Sequence, residues 1–157
     1  MPSDSRTLPG SAGIFASLFA LSVFAPVLQA QTPEQRRAID ALRDSLQAIT
    51  DSVLLHSREE RLLLAARKER NDAFLHLRLG QLALRQGDLG SFSHYDDAAS
   101  EYTWATDLAP QWPYAWFGLG LSEYALGARL DGARDQVGGA GRTAWARATQ
   151  AFARASV

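Results

Sequence analysis

The sequence contains no cysteine, and a single lysine, Lys68, stands among its 16 basic residues. Without cysteine this chain can form neither a disulfide nor a thiolate metal site, and it offers no cysteine for lipidation after a signal sequence. The basic residues are balanced by 17 acidic ones, which leaves a net charge of −1. Because nucleic-acid binding requires a basic surface that pairs with phosphates, this balance argues against that class of function.

The sequence also lacks the H-E-x-x-H and G-x-S-x-G motifs of hydrolases. The best candidate for a metal site is a cluster of four side chains, His94, Asp96, Asp97 and Glu101. Asp97 and Glu101 are four residues apart and share a helix face, as two metal ligands would. Asp96 and Asp97 also suit the N-cap of a helix, which is the interpretation we favour, and His76 has the position of a packed histidine. We therefore expect no enzymatic activity, no metal and no cofactor.

A glycine-rich stretch, Ala128 to Arg142, separates two helical patterns. Its glycines predict a flexible loop between helices. Its end, G-G-A-G-R-T, precedes a helix as phosphate-binding loops do. However, Gln136 stands where the Walker motif has its first glycine, and Arg142 stands where that motif has lysine. We therefore favour a loop over a phosphate site.

The segment from Met1 to Ala30 differs in composition from the rest. Arg6 gives a positive N-terminal part, an uncharged apolar run extends from Ile14 to Leu28, and Leu28-Gln29-Ala30 offers a cleavage site. This order is typical of a secretory signal peptide, and the apolar run is short for a membrane span. We expect a mature, exported chain that begins at Gln31, is periplasmic or secreted, and keeps no membrane span. An uncleaved membrane anchor is the alternative.

One pattern occurs twice in the middle of the chain. The first copy, Leu77 to Gly87, reads L-R-L-G-Q-L-A-L-R-Q-G, and the second, Phe117 to Gly127, reads F-G-L-G-L-S-E-Y-A-L-G. Leu79-Gly80 thus corresponds to Leu119-Gly120, and this fixed offset indicates stacked helical repeats. We expect another helix backbone to come close at Gly80 and Gly120, and we expect helix C-caps at Gly87 and Gly127, the last residues of the two copies.

A second helix follows each copy. Its small-large-small order is seen at Ala98, Tyr102 and Ala105, and again, at a larger offset, at Ala148, Phe152 and Ala155. The helix pair is therefore kept, while the turn inside it varies in length. Asp96 or Asp97 is expected to cap the first of these helices, which should end before Pro110.

The combined pattern resembles the tetratricopeptide repeat, a helix-turn-helix unit of about 34 residues, in its exported bacterial form. The matching positions are Leu79, Gly80, Ala98, Tyr102, Ala105 and Pro110 in the first repeat, and Trp116, Leu119, Gly120, Ala148, Phe152 and Ala155 in the second. His76, Ala83 and Glu123 replace the family's aromatic residues, and both internal turns carry insertions. The resemblance covers roughly half of the chain. It implies an all-α fold in which helix pairs stack as a short α-solenoid behind an amphipathic N-terminal helix.

Four segments follow from this organisation. They are a signal peptide (1–30), N-terminal helices that act as a cap or a degenerate repeat (31–70), a first repeat (71–112) and a second repeat with a long internal loop (113–157). By the repeat register the second repeat looks incomplete. We therefore expect either the N-terminal part of a longer protein or an array that a partner completes.

The segment 31–70 predicts two helices. Thr32 is a suitable N-cap for the first, and Ser57-Arg58-Glu59-Glu60 predicts a capping box for the second. The range Ile39–Val53 carries an apolar seam of about two heptads, formed by Ile39, Leu42, Leu46, Ile49 and Val53. This seam is expected to pack on the repeats or, alternatively, to serve for self-association.

The family resemblance also implies a binding site, because first-helix positions of the family line a concave groove that holds partner peptides. In this sequence those positions are Phe74, Leu77, Gln81, Leu84 and Arg85 in the first repeat, and Tyr114, Phe117, Leu121, Tyr124 and Ala125 in the second. Such an apolar and aromatic groove suits an amphipathic helix or an apolar peptide segment. The groove is either open or filled by the chain's own N-terminal helix.

The first functional hypothesis is an exported protein-interaction module that binds a protein or peptide partner through this groove. The alternative is the N-terminal helical region of a longer exported enzyme or envelope assembly factor, whose activity lies downstream. Neither hypothesis involves nucleic acid.

Overall fold

The computed structural model describes residues 30–132 and 139–156. Within these ranges the chain forms six α-helices and no strand: α1 (Pro33–Gln47), α2 (Ser52–Lys68), α3 (Ala73–Asp88), α4 (His94–Leu108), α5 (Pro113–Gly132) and α6 (Ala140–Ala155). The predicted all-α fold is thus confirmed. None of the described helices has the length and apolar content that crossing a membrane requires. The predicted signal peptide lies, except for Ala30, outside the described residues.

The helices from α2 to α6 pack in chain order, each against the next. In addition α3 contacts α5, so the pair α3–α4 is stacked on the pair α5–α6 as the repeat pattern predicts. The helix α1 departs from this order, because it packs on α3 and reaches α5 through a hydrogen bond between Asp40 and Tyr114. The face that α3 and α5 form together is therefore partly covered by α1.

Aromatic rings from the second helix of each pair pack on glycines of the first. A Cβ atom at Gly80 would lie 2.9 Å from the ring of Tyr102, and one at Gly120 would lie 2.6 Å from the ring of Phe152. The close approach predicted at these glycines exists, but a side chain makes it and not a helix backbone. Because the two glycines hold equivalent positions in the two copies, and the two rings hold equivalent positions in the following helices, this contact repeats in the predicted register.

The prediction of C-caps at Gly87 and Gly127 is wrong. Both glycines lie inside helices, since α3 continues to Asp88 and α5 to Gly132. They make room for rings instead: a Cβ atom at Gly87 would lie 2.5 Å from the ring of Tyr95, and one at Gly127 would overlap the ring of Trp145. The chain turns away from α3 at Gly90, two residues after Asp88, where a φ of +105° suits glycine.

The predicted loop from Ala128 to Arg142 is shorter than expected. Five of its residues, 128–132, extend α5, and α6 already begins at Ala140. Gly139 precedes α6 with a φ of +67°. The remaining residues, 133–138, lie outside the described part of the chain. The N-cap of α4 is also corrected, because α4 begins at His94 after Ser93, and Asp96 and Asp97 lie in its first turn, where negative charge favours the helix dipole.

The apolar seam from Ile39 to Val53 is divided between two helices. The helix α1 ends at Gln47, and α2 starts after Asp51, whose carboxylate accepts a hydrogen bond from the Val53 amide at 2.8 Å. The capping box predicted at Ser57 is therefore wrong, since Ser57 lies within α2. The N-cap predicted at Thr32 is confirmed, because its hydroxyl accepts from a backbone amide of the first turn of α1.

The seam is buried mainly within the chain itself. Ile39 belongs to the core that also includes Leu77 and Tyr102, and Leu46 packs with Leu55 and Leu82 in a second cluster. Leu42 and Ile49 are partly buried against this second cluster. Val53 is the exposed member of the seam, with 69% of its surface accessible to solvent. The seam thus packs on the helices that follow it, which is the first of the two alternatives.

A buried carboxylate joins α5 to α6. Glu123 is a buried residue, and both its oxygens accept hydrogen bonds from Arg147, at 2.7 and 2.8 Å. These hydrogen bonds raise the pKa of the Arg147 guanidinium. A paired geometry of this kind is the strong form of a carboxylate–guanidinium interaction.

We expect Arg147→Met to lower the free energy of unfolding by about 1–2 kcal/mol, because it leaves the Glu123 carboxylate buried without its partner. This decrease is smaller than for a fully buried ion pair, because about half of the Arg147 side chain is exposed to solvent. Urea unfolding followed by circular dichroism measures the change. In the double variant Glu123→Gln/Arg147→Met part of the loss should return, and an equally unstable double variant would contradict this account.

Candidate functional site

A pocket of about 180 Å³ lies on the face of α3 and α5, directly beside α1. Six of the ten predicted groove residues line it, namely Gln81, Leu84, Arg85, Tyr114, Phe117 and Leu121. The other lining residues are Arg43, Leu46 and Gln47 of α1, Asp88 of α3, Tyr102 of α4 and Gly118 of α5. The structure therefore brings the two predicted halves of the groove together and adds an α1 wall.

Two predicted groove residues are covered. Leu77 is fully buried in the core, and Phe74 is partly buried against it. Ile39 of α1 belongs to the same buried cluster, so this part of the α3 face packs inside the chain. Leu77 is thus unavailable to a partner, whereas Phe74 keeps part of its surface accessible.

Polar contacts of α3 and α5 hold α1 on this face. Arg85 donates three hydrogen bonds to carbonyl oxygens at the end of α1, to Leu46 at 3.1 Å, Gln47 at 3.2 Å and Ile49 at 2.9 Å. A positive charge at the C-terminal end of a helix also complements the helix dipole. The N-terminal helix therefore occupies the α3 side of the groove.

The phenol of Tyr114 makes the corresponding contact from α5, because its hydroxyl donates to both carboxylate oxygens of Asp40 at 3.0 Å. Partial burial, together with this hydrogen bond, raises the pKa of the Tyr114 phenol. Tyr114 thus lines the pocket and tethers α1 at the same time.

The α5 side of the groove stays accessible. Phe117 is 47% exposed and Tyr124 is 59% exposed, and Leu121 lies between them in the sequence of the same helix. Phe117 is held from behind by Phe152, at a distance of 5.7 Å between ring centroids. A pair of large aromatic side chains on one helix, exposed and partly fixed, is the surface type that carries binding energy in protein interfaces.

Tyr102 is a pocket residue that the sequence assigned to the core alone. Its ring passes between α3 and α5, where it faces Gly80 on one helix and Gly118 on the other, and it is only 2% exposed. Its distal carbons, Cε1 and Cζ, lie nearest to Gly118, which lines the same pocket. Burial raises the pKa of the Tyr102 phenol far above its ordinary value, so the hydroxyl keeps its proton.

The four side chains of the candidate metal cluster separate into different contacts. His94 pairs with Asp97 at 3.0 Å, whereas the carboxylate of Glu101 pairs with His76 of α3 at 2.7 Å. Among residues 30–132 and 139–156, no group of three or more histidine and acidic side chains is arranged to hold a metal. His76 is buried and stacks on Trp104 at 5.4 Å, as expected for a packed histidine.

Comparison of the chain with protein-family models, with curated proteins and with solved structures gave no match in any of the three. The resemblance to the tetratricopeptide repeat thus depends on the residues quoted above and stays a prediction.

Proposed function

We propose that the protein is an exported interaction module of tetratricopeptide-like helix pairs, and that it binds an apolar peptide segment or helix along α5. The observation that carries this proposal is a pair of exposed aromatic side chains on α5: Phe117, which lines the pocket, and Tyr124, which lies seven residues further along the same helix. An apolar side chain entering the pocket would contact Leu84, Leu121 and Phe117, while the rest of the segment would cover Tyr124.

The position of α1 defines which part of the groove a partner uses. Because Leu77 is buried in one cluster with Ile39 of α1, and Phe74 is partly buried against that cluster, the partner lies on the α5 side, with α1 as the opposite wall of the pocket. The polar side chains at this wall, Arg43 and Gln47, suit the rim of an interface whose centre is apolar.

The double variant Phe117→Ala/Tyr124→Ala tests this proposal. Peptides are first selected on the purified wild-type protein from a random peptide library, and their dissociation constants are then measured by fluorescence anisotropy. We expect the double variant to weaken binding at least about 30-fold, since an aromatic anchor at the centre of an interface contributes about 2 kcal/mol or more. Helicity should not change, because both side chains are exposed.

A matched control removes exposed apolar surface elsewhere. Leu54→Ala/Leu64→Ala takes away two leucines of α2 that are as exposed as the aromatic pair and lie outside the pocket. This variant should bind the selected peptides like the wild type. If the aromatic variant binds as tightly as the control, α5 is not the binding surface.

A further inference from the structure

Gln31 is buried ahead of α1, and its side chain makes no hydrogen bond in the described part of the chain. The residue is 6% exposed, and both polar atoms of its side chain, Nε2 and Oε1, are buried without a partner among residues 30–132 and 139–156. The residues that follow are paired, because Thr32 and Gln35 exchange hydrogen bonds at the start of α1, at 2.9 and 3.1 Å. Since unpaired polar atoms at buried positions are costly, the open amide side chain is a poor fit to its own site.

The same residue is the predicted first residue of the mature chain. The sequence Leu28-Gln29-Ala30 places the cleavage site directly before Gln31, and Ala30, on the other side of that bond, is exposed. Cleavage gives Gln31 a free α-amino group immediately before Thr32, the N-cap of α1. Because the N-terminal end of a helix dipole favours negative charge, the protonated amine is unfavourable at this place.

Cyclisation of an N-terminal glutamine removes both unfavourable features. The α-amino nitrogen attacks Cδ of the side-chain amide of the same residue, a new C–N bond forms, and the bond from Cδ to Nε2 breaks. Nε2 leaves as ammonia and takes one proton from the attacking amine, so the step needs no oxidant, metal or cofactor. The product, pyroglutamate, is an uncharged lactam with one N–H and one carbonyl oxygen. The positive charge and the buried amide NH₂ group therefore disappear together.

We propose that Gln31 is a modification site, that the exported protein begins with pyroglutamate, and that the lactam ring occupies the buried place of the Gln31 side chain. The proposal rests on export, which is part of the proposed function, and adds the chemical step that follows it. The modified residue directly precedes α1, which forms one wall of the pocket. An uncharged, buried terminus thus supports the helix that bounds the groove.

The N-terminus of the exported protein tests the modification. The chain is expressed with its own N-terminal segment in a bacterial host, and the exported protein is examined by intact mass and by Edman degradation, which requires a free α-amino group. We expect a mass below that of the open chain from Gln31 by one molecule of ammonia, and loss of the Edman signal. An exported protein that reads Gln-Thr-Pro, or that begins at another residue, would overturn the proposal.

Gln31→Ala is the matched control. It keeps a small residue after the predicted cleavage site but has no side-chain amide that could cyclise. The variant should be exported, show the mass of the open chain and read Ala-Thr-Pro in Edman degradation. A blocked terminus in this variant would assign the block to a different modification and would contradict the role of the Gln31 amide.

Burial of the lactam is tested with pyroglutamyl aminopeptidase, which removes this residue from an accessible N-terminus. The folded protein and a synthetic peptide of residues 31–36 that carries pyroglutamate are digested side by side, and the new terminus at Thr32 is followed by mass. We expect release from the folded protein to be at least about tenfold slower, because the enzyme requires local opening of the segment before α1. Equal rates would overturn the buried placement of the ring.

These results are separable from the tests of the proposed function. An exported protein that begins at Gln31 with a free amine leaves export in place and rules out cyclisation. A protein that keeps residues 1–30 rules out both export and cyclisation. Peptide binding along α5 is measured independently with Phe117→Ala/Tyr124→Ala, so its outcome does not depend on the state of the N-terminus.

Discussion

Gly118→Ala is expected to lower the free energy of unfolding by about 1–2 kcal/mol, although the substitution improves helix propensity. In the middle of a helix alanine is favoured over glycine by about 1 kcal/mol. At Gly118, however, the new methyl group would overlap Cε1 and Cζ of the Tyr102 ring. Tyr102 is 2% exposed and Gly80 of α3 confines the ring on its other side, so the overlap is relieved only if the ring or a helix shifts. Overpacking of this kind costs about 1–3 kcal/mol, sometimes more, and here it exceeds the gain in propensity.

Gly127→Ala is the matched control for this substitution. It also lies in α5, and its new methyl group would overlap the ring of Trp145. Trp145 is 39% exposed, so its side chain can turn toward solvent and relieve the overlap. We therefore expect Gly127→Ala to change stability by about 1 kcal/mol or less, because the gain in helix propensity offsets the lost ring contact. Urea unfolding of both variants gives the comparison.

A second variant identifies the ring as the cause. In Gly118→Ala/Tyr102→Leu the smaller side chain leaves space for the methyl group, so the alanine should cost less there than in the presence of Tyr102. Two results would contradict this account: a Gly118→Ala variant as stable as the wild type, or an equal loss of stability from Gly118→Ala in the wild-type and Tyr102→Leu backgrounds. In either case the Tyr102 ring does not fill the space between α3 and α5.

Much of the fold could be predicted because the repeat pattern is local and is present twice. The helix pairs, their order and the stacking of the second pair on the first follow from apolar residues at helical spacing and from the fixed offset between the two copies. The end of α4 before Pro110 is likewise confirmed, since proline stops a helix through its own geometry.

The predictions that are wrong depend on contacts between residues that are distant in the sequence. A glycine at the end of a helical pattern is usually a C-cap, but Gly87 and Gly127 lie inside helices because Tyr95 and Trp145, which come later in the sequence, pack on them. The apolar seam was predicted as one helix because its spacing continues across residues 48–51. Ile49 keeps that spacing although it belongs to the connection, where it packs beside Leu46.

The binding face was predicted only in part, for the same reason. The family resemblance placed Phe74 and Phe117 on one groove, and nothing in their local sequence distinguishes the covered residue from the exposed one. The difference depends on α1, whose contacts with α3 join residues 36–42 positions apart.

Arg85→Met is expected to loosen α1 from the groove and to leave the helix pairs α3–α6 unchanged. The substitution keeps most of the apolar stem of the side chain but removes all three hydrogen bonds to the carbonyl oxygens of Leu46, Gln47 and Ile49. Hydrogen bonds from a charged donor contribute about 1.5–3 kcal/mol, although three that share one guanidinium act as a unit and do not add up. Local opening of α1 should therefore become easier by at least about 1.4 kcal/mol, which is a tenfold change.

Hydrogen–deuterium exchange resolved by segment measures this effect, because the amides of α1 should exchange at least about tenfold faster while those of α4 and α6 keep their rates. Arg78→Met is the control, since Arg78 lies two turns earlier on α3 and its guanidinium sits over the ring of Phe74 at 5.8 Å. Opening of α1 also uncovers the α3 side of the groove, so Arg85→Met should bind longer apolar peptides than the wild type does. Unchanged exchange in α1 would mean that burial of Ile39 and Leu46 alone holds this helix, and the groove would then have a permanent wall instead of one that a partner can displace.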